Sequence, residues 1–349
     1  MAAIRELKFS VMASAAHVVL VDPASGAEDY ARRRLSELEQ RWSRFLPQSD
    51  VSRLNACPEA FMLVSPDTLR LLAAMKEAWR RTNGRYDPTM LSAIVAAGYS
   101  TSIDGSGRPA CASSARSHGF GRPTRASGRC GNASGRSGSG PDPARGWTID
   151  DVTIDPVSSA VVLPAGIGID PGGIGKGLAA DMVVTELLAA GTAGALVCVG
   201  GDLAAAGTPP TPEGWLVSVE EPRDPAQSLV TLSLSGGGVA TSSTLSRRWL
   251  HEAEQRHHAI DPRTQTCSQT DLAAVTVVAR AGWEAEAHAT AALLCGSEAV
   301  LDYLDLHELE GIAATQHGHT FTSPGLEMRP GLHTSLGACG AGTAERSIA

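Results

Sequence analysis

One glycine-rich turn constrains the fold of this chain more than any other segment. The stretch DPGGIGKGLAADMVV, residues 170–184, runs from closely spaced glycines and Lys176 directly into an apolar pattern of helical type. Backbone N–H groups without neighbouring side chains can approach an anion, and the start of a helix adds positive partial charge. The segment predicts a phosphate-binding turn, with a plain strand-to-helix connection and a solvated lysine as the alternative.

The spacing within this turn excludes the two best-known phosphate motifs. A P-loop requires Ser or Thr directly after its lysine, where this chain has Gly177, and no stretch of the turn reads GxGxxG. Other parts of the chain must therefore distinguish a phosphate-binding turn from a plain strand-to-helix connection.

Hydrophobic periodicity predicts helices and strands without a regular βαβ rhythm. Apolar residues at helical spacing predict helices in GAEDYARRRLSELEQRWSRF, SPDTLRLLAAMKEAWRRTNG, the segment from Lys176 to Gly191, and WEAEAHATAALLCG. Buried or alternating patterns predict strands in GALVCV, SLVTLSLS and LAAVTVVA. Such a sequence predicts an α+β, or mixed α/β, fold.

Composition divides the chain into one ordinary globular part and two atypical stretches. Residues 104–148 contain no Val, Ile, Leu or Met, so we predict a disordered, low-complexity insertion; an out-of-frame stretch of a GC-rich gene is the alternative. Residues 333–349 have a similar character and predict a disordered tail. We expect one domain over residues 1–332, interrupted by that insertion.

Charge and sequence patterns exclude several classes of partner. The net charge is −8, and few residues are aromatic, so a nucleic-acid surface is not expected. No apolar run is long enough to span a membrane and no export signal is evident, so we expect a cytoplasmic protein. Seven cysteines without a CxxC pair indicate free thiols.

Several polar residues are candidates for chemistry. Glu286 and Thr290 lie one helical turn apart and could both bind a hard cation such as Mg²⁺, or could be a solvated Glu and a Thr bonded to its own helix. A histidine in RHHAIDPRT could be a general base or a surface residue. HEAEQ lacks the second histidine of a zinc HExxH helix, so zinc is not expected. Asp202 in its GGD turn could be a site residue or a local cap.

These pieces occur in an order that resembles the ApbE-type FAD:protein FMN transferase family. RWSRFLPQSDVSRLNA, residues 41–56, resembles the helix exit and serine-rich strand of that family, and TNGRYDPTM its (F/Y)DPT signature. DPGGIGKGLAAD is similar to its D-x-G-G-x-x-K-G-x-x-x-D block, VCVGGDLAAAG to its GGD turn, VATSS to its ATS turn and HHAIDPRT to its H-x-I-D-P-R-T segment. WEAEAHATAALLCG occupies the position of the last block in the family's order.

The resemblance implies an enzyme that transfers FMN from FAD to a threonine hydroxyl of a target protein and releases AMP. It implies mainly antiparallel sheets with flanking helices, related to the T-fold, and a flavin cleft between two subdomains. By motif position, Lys176 would hold the pyrophosphate of FAD and His258 would activate the threonine. The implied Mg²⁺ ligands are Gly175 through its carbonyl, Glu286 and Thr290. The implied residues that line the flavin and nucleotide site, in addition to Lys176, are Tyr86, Asp87, Gly173, Asp181, Gly201, Asp202, Thr241 and Asp261.

The chain departs from the family pattern at several positions. The metal carboxylate is usually Asp in that family and is Glu286 here, while Met12, Ala13 and Ser14 stand where Met-Gly-Thr is common. Gly175, Ser243 and Gln265 are further departures. Two alternatives stay open: an FAD-binding or FAD-hydrolysing protein without protein transfer, and an inactive relative.

Overall fold

The computed structural model describes residues 2–101, 146–326 and 328–329. Most of the low-complexity insertion and the whole 333–349 tail lie outside the described residues, so the predictions of disorder there stay predictions. Thr148, at the predicted end of the insertion, is the N-cap of a short 3-10 helix, Ile149–Asp151.

Seven α-helices and eighteen strands are present in the described part of the chain. The helices are α1 Ala27–Trp42, α2 Asp50–Ala56, α3 Pro66–Arg81, α4 Leu91–Ala96, α5 Gly175–Ala189, α6 Gly282–Leu293 and α7 Val300–Leu306. The strands are β1 Ile4–Val11, β2 Ser14–Val21, β3 Met62–Leu63, β4 Thr153–Asp155, β5 Ala160–Val162, β6 Gly194–Val199, β7 Asp202–Gly207, β8 Trp215–Glu221, β9 Asp224–Leu234, β10 Gly237–Ser243, β11 Arg248–His251, β12 Glu254–His257, β13 Ile260–Asp261, β14 Thr266–Cys267, β15 Leu272–Ala279, β16 Glu310–Thr315, β17 Thr320–Thr322 and β18 Met328–Arg329.

The central sheet has eight strands in the order β1-β2-β6-β7-β10-β15-β16-β17. Every pairing between neighbouring strands in this sheet is antiparallel. Smaller antiparallel groups are β3-β5-β4, β18-β9-β8, β11-β12 and β13-β14. The predicted mixture of helices and mainly antiparallel sheets is confirmed.

The sequence predicts the helix starts and stops well where capping residues are present. Ser65 caps α3 by accepting a hydrogen bond from the N–H of Thr68, and Pro66 is the first helical residue, as expected. The expectation of a serine-rich strand within residues 41–56 is wrong. Ser49 accepts the N–H of Ser52 there and caps helix α2, because a serine before a short apolar repeat favours a helix start.

Helices α5 and α6 form the core layer that positions the site. Both are buried along most of their length, and α5 packs on β6 and β7 while α6 packs on β10 and β15. Their N-terminal turns are in close contact, because a Cβ built on Gly177 would lie 2.3 Å from the carbonyl oxygen of Gly282. Glycine is therefore required at this crossing. No helix in the described ranges is both long and apolar enough to cross a bilayer.

Candidate active site

The glycine-rich turn is fixed on both sides before helix α5 begins. Asp170 accepts the N–H of Gly172 through Oδ1 at 2.9 Å and forms an ion pair with Arg44 at 3.0 Å. The N–H of Asp170 donates to the carbonyl of Pro88 at 2.8 Å, which joins this turn to the YDPT segment. Gly173 has φ +86°, a left-handed conformation that favours glycine. The turn is thus a rigid support for the residues that follow it.

Lys176, the second residue of α5, lies between two buried carboxylates. Its Nζ donates to Glu286 Oε1 at 2.6 Å and to Asp202 Oδ2, although these residues are far apart in the sequence. Burial alone would lower the pKa of Lys176, but Asp202 and Glu286 together raise it. The alternative of a solvated lysine is therefore wrong. We refer to Lys176, Asp202, Glu286 and Thr290 as the Lys176 cluster.

Glu286 is the most constrained carboxylate of the cluster, with an exposed fraction of 2%. In addition to its bond from Lys176, it accepts the backbone N–H of Gly177 through Oε2 at 2.8 Å. Burial raises the pKa of Glu286 to about 7, against the opposing effect of the Lys176 charge. Glu286 is not the solvated residue of the alternative reading.

Hydroxyl groups complete the cluster on the side of β10. Thr290 Oγ1 donates to the carbonyl of Glu286 at 3.2 Å and lies 3.0 Å from Ser242 Oγ. The N–H of Thr241 donates to Asp202 Oδ1 at 3.3 Å. Gly201 precedes Asp202, and a Cβ built on it meets no atom within 4 Å, so this side of the turn is open.

Tyr86 places an aromatic ring beside the glycine-rich turn. A Cβ built on Gly173 would lie 3.0 Å from Tyr86 Cε2 and 3.2 Å from Thr290 Oγ1. The phenol is buried and has no hydrogen-bond partner among the described residues. Burial, with the negative charges of Glu286, Asp170 and Asp87, raises its pKa well above the usual value. Asp87 itself accepts both the N–H and the hydroxyl of Thr89.

His258 lies between β12 and β13, close enough to the cluster to feel its charge. Burial, with the positive charges of Arg247, His257 and Lys176, lowers the pKa of His258 to about 3. The imidazole is therefore neutral at pH 7, but a pKa this low also makes it a weak proton acceptor. Its Nδ1 is buried without a partner in the part of the chain that the structure describes.

Two predicted site residues have other contacts. Asp181 accepts the N–H groups of Gly282 at 2.8 Å and Trp283 at 2.9 Å, so both its oxygens cap the start of α6. Burial raises its pKa to about 6. By fixing that start, Asp181 positions Glu286 and Thr290. Asp181 therefore lies outside the Lys176 cluster, and its place in the lining of the flavin and nucleotide site stays a prediction.

Asp261 also lies away from the Lys176 cluster. Its carboxylate forms an ion pair with Arg263 at 2.9 Å, and it lines a separate cavity of about 440 Å³ next to Arg85 and Tyr303. None of its hydrogen bonds reaches the cluster in the described ranges. The sequence reasoning missed two residues that do lie there: Ser242, which is inside the VATSS block, and Arg247, which falls between the VATSS and HHAIDPRT blocks.

The donor atoms of the cluster suit a hard cation more than a soft one. Glu286 and Asp202 supply carboxylate oxygens, and Thr290 and Ser242 supply hydroxyls; oxygen ligands of these kinds suit Mg²⁺. Among the described residues there is no group of three or more His, Cys, Asp or Glu arranged around a metal position. A cation bound to Glu286 would share this carboxylate with Lys176, because Lys176 Nζ already donates to Glu286 Oε1.

An open antiparallel sheet backed by α5 and α6, with a buried ionic cluster at the glycine-rich turn, defines the structural class. A sequence profile of the ApbE family matches residues 12–315. The chain belongs to the ApbE family.

Curated relatives match part of the chain. The chain is 27% identical over 154 residues to an FAD:protein FMN transferase of Escherichia coli K12, a match that covers 44% of each chain. It is 32% identical over 143 residues to one of Treponema pallidum, which covers 38% of this chain and 40% of that protein. These matches span less than half of each relative's length.

The structural matches extend over almost the whole fold. The ApbE protein of Thermotoga maritima superposes with a TM-score of 0.73 at 20% identity, covering 92% of this chain and 97% of that one. The apo flavinyl transferase ApbE of Pseudomonas stutzeri gives 0.68 at 22% identity, with 93% and 95% covered. At these identities the structures support the fold.

Proposed function

We propose that this chain is an FAD:protein FMN transferase, which moves FMN from FAD to a threonine hydroxyl of a target protein and releases AMP. The observation that carries the proposal is the Lys176 cluster, in which three sequence blocks separated by up to 110 residues meet at one buried point. The names of the curated relatives support the same activity.

In the proposed reaction the threonine oxygen attacks the phosphorus on the FMN side of the pyrophosphate. The bond from that phosphorus to the bridging oxygen breaks, and AMP leaves with the bridging oxygen. The threonine proton passes to His258, whose neutral imidazole can accept it. Phosphoryl transfer needs mainly positioning and charge stabilisation from the protein, which a rigid buried site provides.

The chain's own residues have distinct tasks in this proposal. Tyr86 would pack near the flavin, and Lys176 would hold Asp202 and Glu286 in place. Glu286, Thr290 and the carbonyl of Gly175 would bind Mg²⁺, which when present offsets negative charge on the phosphates. Asp181 would act indirectly, by fixing the start of α6.

The test incubates the purified chain with FAD, Mg²⁺ and a flavin-free protein that normally carries FMN on threonine. Mass spectrometry of the target and chromatography of the nucleotides count the FMN adduct and the AMP in one mixture. We expect one AMP for each adduct. If AMP forms without the adduct, the chain is an FAD hydrolase. If neither AMP nor the adduct forms, the chain is an inactive relative.

A further inference from the structure

The charge of the Lys176 cluster leaves little positive charge for a substrate. Lys176 carries one positive charge and contacts two carboxylates, which are only 3% exposed at Asp202 and 2% at Glu286. With both carboxylates ionised, Asp202 and Glu286 more than offset the charge of Lys176, so Lys176 does not attract a pyrophosphate. A second cationic side chain, in addition to the proposed Mg²⁺, would attract it.

Arg247 lies next to this cluster and provides such a cation. Its Nη2 donates to Ser14 Oγ at 3.2 Å. A Cβ built on Gly200 would lie 2.7 Å from Ser14 Oγ and 3.6 Å from Lys176 Cδ, so the three elements meet at the GGD turn. The charge of Arg247 acts on both Lys176 and His258, whose pKa values it lowers. Arg247 therefore lies close to the acid–base residue as well as to the cluster.

The guanidinium of Arg247 is not neutralised. It forms no ion pair within the described ranges, whereas Arg34 and Arg44, which are also half-buried, each pair with carboxylates. Its backbone has φ +49°, in the left-handed region that non-glycine residues rarely occupy. Strained backbone of this kind persists where the surroundings enforce it, and is frequent at functional sites. A partly buried cation without a carboxylate partner is suited to bind an anion.

We propose that Arg247 binds the phosphoryl group that is transferred, with Ser14 holding the guanidinium in place. This inference rests on the proposed function, and it names the residue that recognises the phosphate of the flavin nucleotide. The planar guanidinium can donate two parallel hydrogen bonds to one phosphate, which an ammonium group cannot do. Lys176 then has a different task from the one inferred from its motif: it neutralises Asp202 and Glu286.

The test compares FMN with riboflavin, which differ by the phosphate alone. Quenching of flavin fluorescence gives both affinities for the wild-type chain and for Arg247→Gln. We expect the wild type to prefer FMN, and Arg247→Gln to lose at least about tenfold of FMN affinity with riboflavin affinity unchanged, since hydrogen bonds to charged groups are the strong ones. Arg247→Lys should recover part of the loss.

Arg248→Gln is the matched control, because Arg248 is the next residue and bonds to the carbonyl of Thr244. It should leave the preference for FMN unchanged. Equal losses for FMN and riboflavin in Arg247→Gln, or no loss of either, would overturn the inference, and so would a wild type without preference for FMN.

The binding result is independent of turnover, so the two proposals can fail separately. A selective loss of FMN affinity in a chain that transfers no FMN would remove the transferase proposal and keep the phosphate site. Normal FMN transfer together with normal FMN affinity in Arg247→Gln would remove the phosphate site and keep the transferase proposal. Ser14→Ala, which removes the positioning hydroxyl, should raise KM for FAD more than it lowers kcat, and Ser14→Thr should restore KM.

Discussion

Helix α5 carries two ionic clusters with the same composition and different surroundings. Near its end, Glu186 joins Asp67 around Arg34; near its start, Lys176 joins Asp202 and Glu286. Each cluster places one cation between two carboxylates. The first stabilises the packing of α1, α3 and α5, and the second lies at the glycine-rich turn.

The difference between the clusters lies in hydrogen-bond saturation and burial. Arg34 donates two bonds to Asp67, at 2.7 and 2.8 Å, and two to Glu186, at 2.9 and 3.0 Å. Its fork thus satisfies both acids, and Arg34 lowers the pKa of Asp67. Lys176 has no such fork, and burial raises the pKa of Glu286. One cation and two carboxylates therefore form a saturated structural clamp in one place and a more deeply buried, less saturated cluster in the other.

The largest expected effect is a loss of FMN transfer rate on substitution of a residue near the Lys176 cluster. His258 is near Lys176 and far in sequence from any residue of the Arg34 cluster. His258→Ala should slow FMN transfer by about 100- to 10,000-fold, the usual contribution of a general base, because His258 is the proposed acceptor of the threonine proton. Initial rates of adduct formation and FAD affinity give the result. Unchanged FAD affinity is expected, and a wild-type rate would remove His258 from the mechanism.

The Arg34 cluster should affect stability and not catalysis. Arg34→Gln removes the cation that Asp67 and Glu186 share and leaves Asp67 with the longer contact to Arg41 at 3.6 Å, so we expect it to lower the free energy of unfolding by about 3 kcal/mol, as for other broken buried pairs. Urea denaturation measures the loss. The neighbouring Arg33→Gln is the control, because Arg33 is exposed and, among the described residues, forms one ion pair, with Glu37 at 4.0 Å. A transfer rate more than tenfold below wild type in folded Arg34→Gln would break the distinction.

A smaller effect, on stability, is expected from a substitution at the contact between α5 and α6. Asp181→Asn removes one of two acceptors at the start of α6 and should cost about 1 kcal/mol of stability, the typical value for a helix cap. FAD affinity should change less than twofold. Thermal unfolding of this variant is compared with Asp305→Asn, which alters an exposed carboxylate on α7. Loss of FAD affinity without loss of stability would show that Asp181 lines the flavin site.

The smallest expected effect is the pH dependence of the Arg34 cluster. Because Arg34 lowers the pKa of Asp67 below its usual 3.8, the folded state holds this carboxylate ionised more strongly than the unfolded state does. The resulting stability is fully present above about pH 4 and is lost as the pH falls through the folded pKa. Wild type and Asp67→Asn should therefore converge in stability at low pH. A constant difference from pH 7 to pH 3 would contradict this assignment.

Local signals in the sequence predict much of the fold. Ser65 and Pro66 mark the start of α3, and the uninterrupted apolar run GALVCV becomes the fully buried β6. These predictions succeed because capping and burial depend on neighbouring residues. The serine-rich segment near Ser49 was misjudged because its helix is only seven residues long and has little periodicity.

The candidate site could be predicted in part only. Family blocks identify Lys176, Asp202 and Glu286 as candidates, but nothing local shows that they form one ionic cluster across 26 and 110 residues. The capping of α6 by Asp181 is likewise a contact across about 100 residues. Arg247 has no periodic context, and its left-handed backbone cannot be read from its residue type. The cytoplasmic location stays a prediction.

The most direct measurement places one substitution in each cluster and follows FMN transfer. Glu286→Ala and Asp67→Ala each remove a carboxylate from a cation on or against α5, and adduct formation is measured by mass spectrometry at a temperature where both variants are folded. We expect Glu286→Ala to lose at least about 100-fold in rate, as when a key transition-state contact is removed, and Asp67→Ala to stay within about twofold. Equal rates in the two variants, or wild-type transfer by Glu286→Ala, would contradict the assignment of the Lys176 cluster as the active site.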